Sequence, residues 1–207
     1  MLDSVIWDFD GTLYDTYPII LKSLQKTLQE FNIQVEDSEL YRLIKVRSVH
    51  YAIQHFSELK GLPNEQVKAR YHEIEEDRQL EPRPLKGALE TCQAVIDKGG
   101  RNFLLTHRDR GAIRFLEHDG LAELFTDFVT SDQHFKRKPD PESLIYLISR
   151  YQLKAANTIM VGDRPLDVEA GLNAGAKACF YDIDGFHGVS NATITIDQLT
   201  DLIPYIG

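Results

Sequence analysis

Short apolar runs separated by helix-length segments constrain the fold of this chain more than any other feature of its sequence. The first run covers residues 5–10 and stops at Gly11. Four more follow, at residues 102–106, 127–130, 158–162 and 177–181. Such runs, bounded by turn residues, are typical of strands that are buried on both faces of a parallel sheet. Their alternation with helical segments predicts a doubly wound α/β fold.

The segments between these runs carry helix signals. Apolar residues recur at helical spacing before a pair of glycines, which predicts a helix over residues 87–98. Asp140 as N-cap and Pro141 at the first helical position predict a second helix that runs to about Tyr151.

Residues 16–83 interrupt the alternation, because no convincing strand occurs there. Apolar residues instead recur at helical spacing in four groups: Ile20, Leu24, Leu28 and Phe31; Leu40, Leu43 and Ile44; Val49, Ile53 and Phe56; Val67, Tyr71 and Ile74. We therefore expect a four-helix insert of residues 16–83 in a Rossmann-like core of residues 1–15 and 84–207, with an extended connector at residues 81–84. Such an insert would lie over the carboxyl end of the first strand, where ligands bind in these sheets. The alternative is that the helices and the core form one inseparable domain.

Composition excludes several functional classes. The chain has 23 Lys and Arg residues against 32 Asp and Glu, a net charge of −9, and its only compact basic run is residues 136–138, too short for a nucleic-acid partner. No segment approaches the roughly 18 apolar residues of a membrane span, and the N-terminus lacks the basic region of a signal peptide. Cys92 and Cys179 have no metal-binding spacing, so we expect buried free thiols. These features favour a cytoplasmic protein without nucleic-acid or membrane partners. They do not distinguish a monomer from a homodimer, and we expect one of the two.

Two pairs of acidic residues follow predicted strands. Asp8 and Asp10 end the first strand, and the strand period directs both side chains toward the same side of the sheet edge. Asp163 follows the fourth strand, and Asp167 lies in the first turn of a helix opened by Pro165. The carboxyl ends of parallel strands share one edge, so the two pairs can share one divalent cation. Mg²⁺ is the natural candidate, because it prefers oxygen ligands.

Other strand ends carry groups suited to an anionic substrate. Thr106 closes the second strand with a hydroxyl, and the backbone N–H groups that follow it through His107 suit an anion-binding turn. Lys138 stands in a rigid, proline-rich approach to a helix, where its ammonium can act as a fixed point charge. This set of residues indicates phosphoryl transfer. The chain contains neither GxxxxGK[ST] nor GxGxxG, which disfavours nucleotide binding through those loops.

The run from Asp8 to Thr16, DFDGTLYDT, resembles motif I (DxDGTLxD) of the haloacid dehalogenase superfamily, in the branch of the phosphoglycolate phosphatases and β-phosphoglucomutases. Thr106 resembles motif II and Lys138 resembles motif III. Gly162-Asp163 together with Asp167 resembles motif IV. The resemblance covers the core from end to end, and the insert is similar to the family's small α-helical cap. His107 is a departure, because relatives commonly carry Asn or a small residue after the Thr.

The resemblance implies a Mg²⁺-dependent phosphatase that hydrolyses a small phosphorylated metabolite through an aspartyl-phosphate intermediate. It implies Asp8 as nucleophile and Asp10 as general acid and base, with Thr106 and Lys138 completing the catalytic set. The Mg²⁺ ligands it implies are the carboxylate of Asp8, the backbone carbonyl of Asp10, the carboxylate of Asp163, and Asp167 either directly or through water.

Substrate selection is expected in the cap and near motif I. The candidate residues are Thr12 and His107 in the core and Lys45 and Arg47 in a basic stretch between the second and third cap helices. We expect Arg47, with Lys45, to face a second anionic group on the substrate. Ordinary solvated charges at helix ends are the alternative.

Three other functions share parts of this pattern. A phosphomutase similar to β-phosphoglucomutase would use both aspartates and the cap, and would transfer phosphate between sugar hydroxyls rather than release it. A dehalogenase is disfavoured, because that branch keeps no acid/base residue at the position of Asp10. A catalytically silent module could bind a phosphometabolite or a protein through the same cleft.

Overall fold

The computed structural model of the protein describes residues 1–76, 83–186 and 188–207. The chain divides into two compact units, one formed by Met1–Tyr14 with Pro84–Gly207 and the other by Asp15–Arg83. Of the predicted connector, residues 81 and 82 lie outside the described residues.

The first unit is built on one six-stranded sheet in which every neighbouring pair is parallel. Its strands are β1 (Ser4–Trp7), β2 (Arg101–Leu105), β3 (Phe125–Val129), β4 (Thr158–Gly162), β5 (Lys177–Tyr181) and β6 (Ile194–Ile196). Their order is β3-β2-β1-β4-β5-β6, which confirms the predicted doubly wound, Rossmann-like fold. The first five strands coincide with the apolar runs of the sequence, whereas β6 was not predicted.

Both faces of this sheet are buried, which explains why its strands read as continuous apolar runs. Val5 and Trp7 pack into a cluster on one face, and Ile6 between them packs into a cluster on the other. The indole of Trp7 is fully buried, and its Nε1 donates a hydrogen bond to Asn102 Oδ1 at 2.8 Å. This bond satisfies the polar atom of a large buried aromatic side chain and ties β1 to β2.

The second unit contains α1 (Tyr17–Glu30), α2 (Asp37–Val46), α3 (Val49–Lys60) and α4 (Asn64–Glu76). These helices have a hydrophobic cluster of their own, which includes Leu24, Leu40, Ile53 and Val67. The end of α3 is set by Gly61, whose φ of 64° lies in the left-handed region that glycine adopts without strain.

The helices of the first unit are α5 (Ala88–Asp97), α6 (Gly111–His118), α7 (Glu142–Arg150) and α8 (Pro165–Asn173). Pro165 opens α8, as predicted. The predicted start of α7 was one residue early, because Pro141 rather than Asp140 occupies the N-cap position. Asp140 still serves the helix end, since its Oδ1 accepts a hydrogen bond from the backbone N–H of Glu142 at 3.0 Å.

Cys92 and Cys179 are free and buried, as predicted. Among the helices that the structure describes, none has the length and apolar character needed to cross a membrane.

Candidate active site

The candidate site lies at the carboxyl edge of the sheet, where the strand order changes direction at β1. Trp7, the last residue of β1, is paired with Leu104 of β2 on one side and with Val161 of β4 on the other. The three strands therefore end almost level. Asp8, which follows β1, is thus placed at the switch point between two neighbouring strand ends, where doubly wound sheets bind ligands.

A tight turn after β1 places the next polar residues. The backbone N–H groups of Thr12, Leu13 and Tyr14 all donate to the carbonyl oxygen of Phe9, and Gly11 adopts a φ of 74° that favours glycine. The buried hydroxyl of Thr12 donates to Asp163 Oδ1 at 3.3 Å. Thr12, predicted as a substrate-binding residue, thus contacts a predicted metal ligand.

Lys138 joins two of the predicted carboxylates. Its Nζ lies 2.6 Å from Asp8 Oδ1 and 2.6 Å from Asp167 Oδ1, and it donates to the carbonyl oxygen of Leu105 at 3.3 Å. The three charged side chains are at most 3% exposed. In such surroundings the two ion pairs are only weakly screened by solvent, so the ammonium is held at a fixed position between the carboxylates.

The charges of this cluster shift its pKa values. Burial acts to lower the pKa of Lys138, but the carboxylates of Asp167 and Asp8 outweigh it, and the pKa is raised. Burial raises the pKa of Asp167 to about 6, and the negative charge of Asp8 acts in the same direction, against the opposing effect of Lys138. Burial therefore disfavours the ionised carboxylate of Asp167 more than the nearby ammonium favours it.

The surplus of negative charge fits a cation. Oxygen atoms of Asp8, Asp163 and Asp167 lie within 4.8 Å of one another, and all three residues are buried. Asp8 Oδ2 is buried and accepts no hydrogen bond from any residue in the described ranges. An unpartnered carboxylate oxygen of this kind is costly unless a cation or a ligand satisfies it.

Gly162 allows Asp167 to reach this cluster. A Cβ atom at Gly162 would lie only 2.2 Å from Asp167 Cβ, closer than real Cβ contacts allow. Asp167 Oδ2 also accepts a hydrogen bond from the backbone N–H of Arg164 at 3.2 Å, which fixes the carboxylate at the start of α8. The residue before Asp163 therefore has to be glycine if Asp167 is to keep this position.

Asp10 is partnered differently from Asp8. Its Oδ1 accepts a charge-assisted hydrogen bond from Arg108 Nε at 2.7 Å, and both side chains are 21% exposed. Arg108 was not among the site residues predicted from the sequence. The available signal was a cationic residue two positions after Thr106, at the edge where the acidic residues gather.

The turn after β2 holds Thr106 and His107. Thr106 is buried, and its Oγ1 accepts a hydrogen bond from the backbone N–H of Arg108 at 3.1 Å. His107 Nε2 accepts a hydrogen bond from the backbone N–H of Lys138 at 3.0 Å. Burial lowers the pKa of His107 to about 2, and the charges of Lys138 and other nearby cations act in the same direction, so its ring is neutral at physiological pH. The ring nitrogen thus holds the chain that carries Lys138.

The two predicted cap residues belong to the helical unit. Lys45, in α2, is buried, with its Nζ 4.2 Å from the centroid of the Tyr17 ring. Arg47 follows α2, is exposed, and has its Cζ 5.5 Å from the centroid of the Tyr51 ring. Both cations therefore lie beside aromatic faces of their own unit, at distances typical of cation–π contacts.

The structure brings five of the predicted site residues into one set of direct contacts and short oxygen distances: Asp8, Thr12, Lys138, Asp163 and Asp167. His107 joins the set through the backbone N–H of Lys138. Thr106 and Asp10 both bond to Arg108, Thr106 through the backbone N–H of Arg108 and Asp10 through its side chain.

This chain matches a known protein family and is similar to known proteins over most of its length. The family model of haloacid dehalogenase-like hydrolases matches residues 5–181. A phosphoglycolate phosphatase of Vibrio parahaemolyticus is 24% identical and the alignment covers 98% of this chain and 95% of the relative. A pyrophosphatase PpaX of Halalkalibacterium halodurans is 28% identical over 100% of this chain and 97% of the relative. The crystal structure of a hydrolase from Streptococcus pneumoniae TIGR4 is similar with a TM-score of 0.63 and 34% identity, covering 86% of this chain and 91% of that one.

Proposed function

We propose that this chain, which belongs to the haloacid dehalogenase-like hydrolases and is a phosphatase of that family, hydrolyses a small phosphorylated metabolite through a phosphoryl group carried on Asp8. The observation that carries the proposal is the buried cluster in which Lys138 pairs with Asp8 and Asp167 beside Asp163. Relatives named phosphoglycolate phosphatase and pyrophosphatase support a small phosphorylated substrate. We expect it to act in the cytoplasm, as a monomer or homodimer.

In the first half of the reaction, the carboxylate of Asp8 attacks phosphorus in line with the leaving oxygen. The bond between phosphorus and the substrate oxygen breaks, and Asp10 donates a proton to that oxygen. In the second half, Asp10 takes a proton from water, which attacks the aspartyl-phosphate. The phosphorus–oxygen bond to Asp8 then breaks, which releases inorganic phosphate and regenerates the carboxylate.

Lys138 and the turn after β2 hold the phosphoryl group. Unit charges about 4 Å apart interact by about 4 kcal/mol at an effective dielectric constant near 20, so a phosphate dianion needs nearby positive charge to approach these carboxylates. Lys138 supplies one such charge. Thr106 Oγ1 accepts its hydrogen bond from Arg108, which leaves the hydroxyl proton to donate to a phosphoryl oxygen.

The acidic cluster would hold the cofactor Mg²⁺. The ligands we propose are the carboxylates of Asp8 and Asp163 and the backbone carbonyl of Asp10, with Asp167 bound directly or through water. When bound, Mg²⁺ supplies positive charge that offsets the charge of the phosphate and of the carboxylates. The unpartnered Asp8 Oδ2 supports this assignment.

A phosphate-release screen tests the proposal. We expect the protein to release inorganic phosphate from at least one member of a panel of phosphorylated metabolites, to lose this activity in EDTA, and to regain it when Mg²⁺ is restored. Full activity in EDTA would contradict the proposed cofactor. Isomerised sugar phosphate without free phosphate would favour a mutase, and no reaction with any panel member would favour a silent binding module.

We also propose that the helical unit selects the substrate and that Arg47 binds a second anionic group of the substrate. We expect Arg47→Ala to raise KM about 10-fold for a substrate with a second anionic group. For a phosphomonoester of an uncharged alcohol, KM should stay within about 2-fold of the wild-type value. Steady-state kinetics on phosphoglycolate and on glycerol 2-phosphate would measure this. Equal losses on both substrates would indicate a solvated helix-end charge.

A further inference from the structure

We infer that Arg108 is a positioning residue for Asp10, fixing one carboxylate oxygen so that the other is aimed at the reacting groups. This inference rests on the acid–base role proposed above for Asp10. Arg108 belongs to none of the motif positions that the sequence resembles. Its assignment comes from the contact between its guanidinium and the carboxylate of Asp10. The two residues are 98 positions apart in the chain.

Arg108 is itself firmly held. Its backbone N–H donates to Thr106 Oγ1 at 3.1 Å, and its carbonyl oxygen accepts a hydrogen bond from the backbone N–H of Ser131 at 2.8 Å. Its Cζ lies 5.8 Å from the centroid of the fully buried Phe9 ring. The backbone of Arg108 is thus fixed by hydrogen bonds, and its guanidinium lies beside the Phe9 ring. The side chain therefore loses less freedom when it binds a carboxylate.

The contact defines which oxygen of Asp10 remains for chemistry. Arg108 Nε bonds Oδ1 at 2.7 Å, in the short range of charge-assisted hydrogen bonds. With Oδ1 occupied, rotation of the carboxylate about its Cβ–Cγ bond is restrained. Oδ2 is then the oxygen that passes a proton to the leaving group. Proton transfer depends strongly on such alignment, because a general acid must lie within hydrogen-bond distance of its target.

Two substrates with different leaving groups can show whether Arg108 positions Asp10 or has a purely structural role. An alkoxide must be protonated as it leaves, whereas 4-nitrophenolate leaves readily without a proton. We expect Arg108→Met to lower kcat/KM about 10- to 100-fold for glycerol 2-phosphate and less than about 3-fold for 4-nitrophenyl phosphate. For each substrate, kcat/KM reports only the steps up to phosphoryl transfer to Asp8. Hydrolysis of the intermediate therefore does not affect it. Arg108→Lys should recover part of the loss.

A double-mutant cycle completes the experiment. If Arg108 acts through Asp10, the variant carrying both Asp10→Asn and Arg108→Met should lose no more activity on glycerol 2-phosphate than Asp10→Asn alone. Arg110→Gln, at an exposed arginine nearby, is the matched control and should behave as wild type. Multiplicative losses in the double variant, equal losses on both substrates, or a gain of activity in Arg108→Met would each overturn the inference.

The same data separate failure of the inference from failure of the proposed function. If Asp10→Asn shows the difference between the two substrates and Arg108→Met does not, only the inference about Arg108 is wrong. If Asp10→Asn itself loses equally on both substrates, the acid–base role of Asp10 is wrong and the inference falls with it. Melting temperatures of the single variants near that of wild type would exclude unfolding as the cause of any loss.

Discussion

Asp8→Asn is expected to lower phosphate release by at least about 10³-fold, because the amide cannot attack phosphorus. The substitution keeps the shape of the side chain and leaves Lys138 paired with Asp167. We therefore expect the fold to survive. Phosphate release under single-turnover conditions measures the loss, and the melting temperature checks the fold.

Two companion variants sharpen the result. Asp10→Asn should slow hydrolysis of the intermediate, so that mass spectrometry after an acid quench detects a phosphoryl group on the protein, and Asp8→Asn should prevent its formation. Asp140→Asn removes the charge of a carboxylate that bonds the backbone N–H of Glu142 at the start of α7, and it should keep wild-type activity. If phosphate release survives in Asp8→Asn, the nucleophile is another residue.

Lys138→Met is expected to abolish activity and to lower the free energy of unfolding by about 3–5 kcal/mol in EDTA, because it leaves two buried carboxylates without their shared cation. Mg²⁺ should recover part of this stability, since it supplies positive charge to the same carboxylates. Urea unfolding followed by circular dichroism, with and without Mg²⁺, measures both effects.

The lysine two residues earlier provides the control. The side chain of Lys136 is 74% exposed and its Nζ lies 3.6 Å from Asp140, so Lys136→Met should change the free energy of unfolding by less than about 0.5 kcal/mol. Adding Asp167→Asn to Lys138→Met should restore part of the lost stability, because it removes one of the two negative charges that the lysine had neutralised. Equal stability of Lys138→Met and wild type in EDTA would show that the ion pairs contribute little.

Much of the fold could be predicted from the sequence, because burial on both faces turns parallel strands into short apolar runs. β6 was not predicted, because it has only three residues and its middle residue, Thr195, is exposed, so it does not form a continuous apolar run. The start of α7 was misplaced by one residue, because Asp140 can bond a helix N–H group from a position just outside the N-cap.

The site was predictable where residues follow strands, and less so where side chains meet across loops. The positions of Asp8, Asp163 and Lys138 follow from strand ends and motif spacing. The contact of His107 with the backbone of Lys138 does not, since it depends on how two loops pack. Arg108 was missed for the same reason, because its partner Asp10 lies on a different strand end and no local pattern connects them.

The burial of Trp7 has a practical consequence for following this protein in solution. It is the chain's only tryptophan, and it lies in β1 directly before Asp8, in the first of the two compact units. Intrinsic indole fluorescence will therefore report on the unit that carries the proposed catalytic residues and will not report on events confined to the helical unit. A single optical signal can thus distinguish loss of the sheet from melting of the inserted helices.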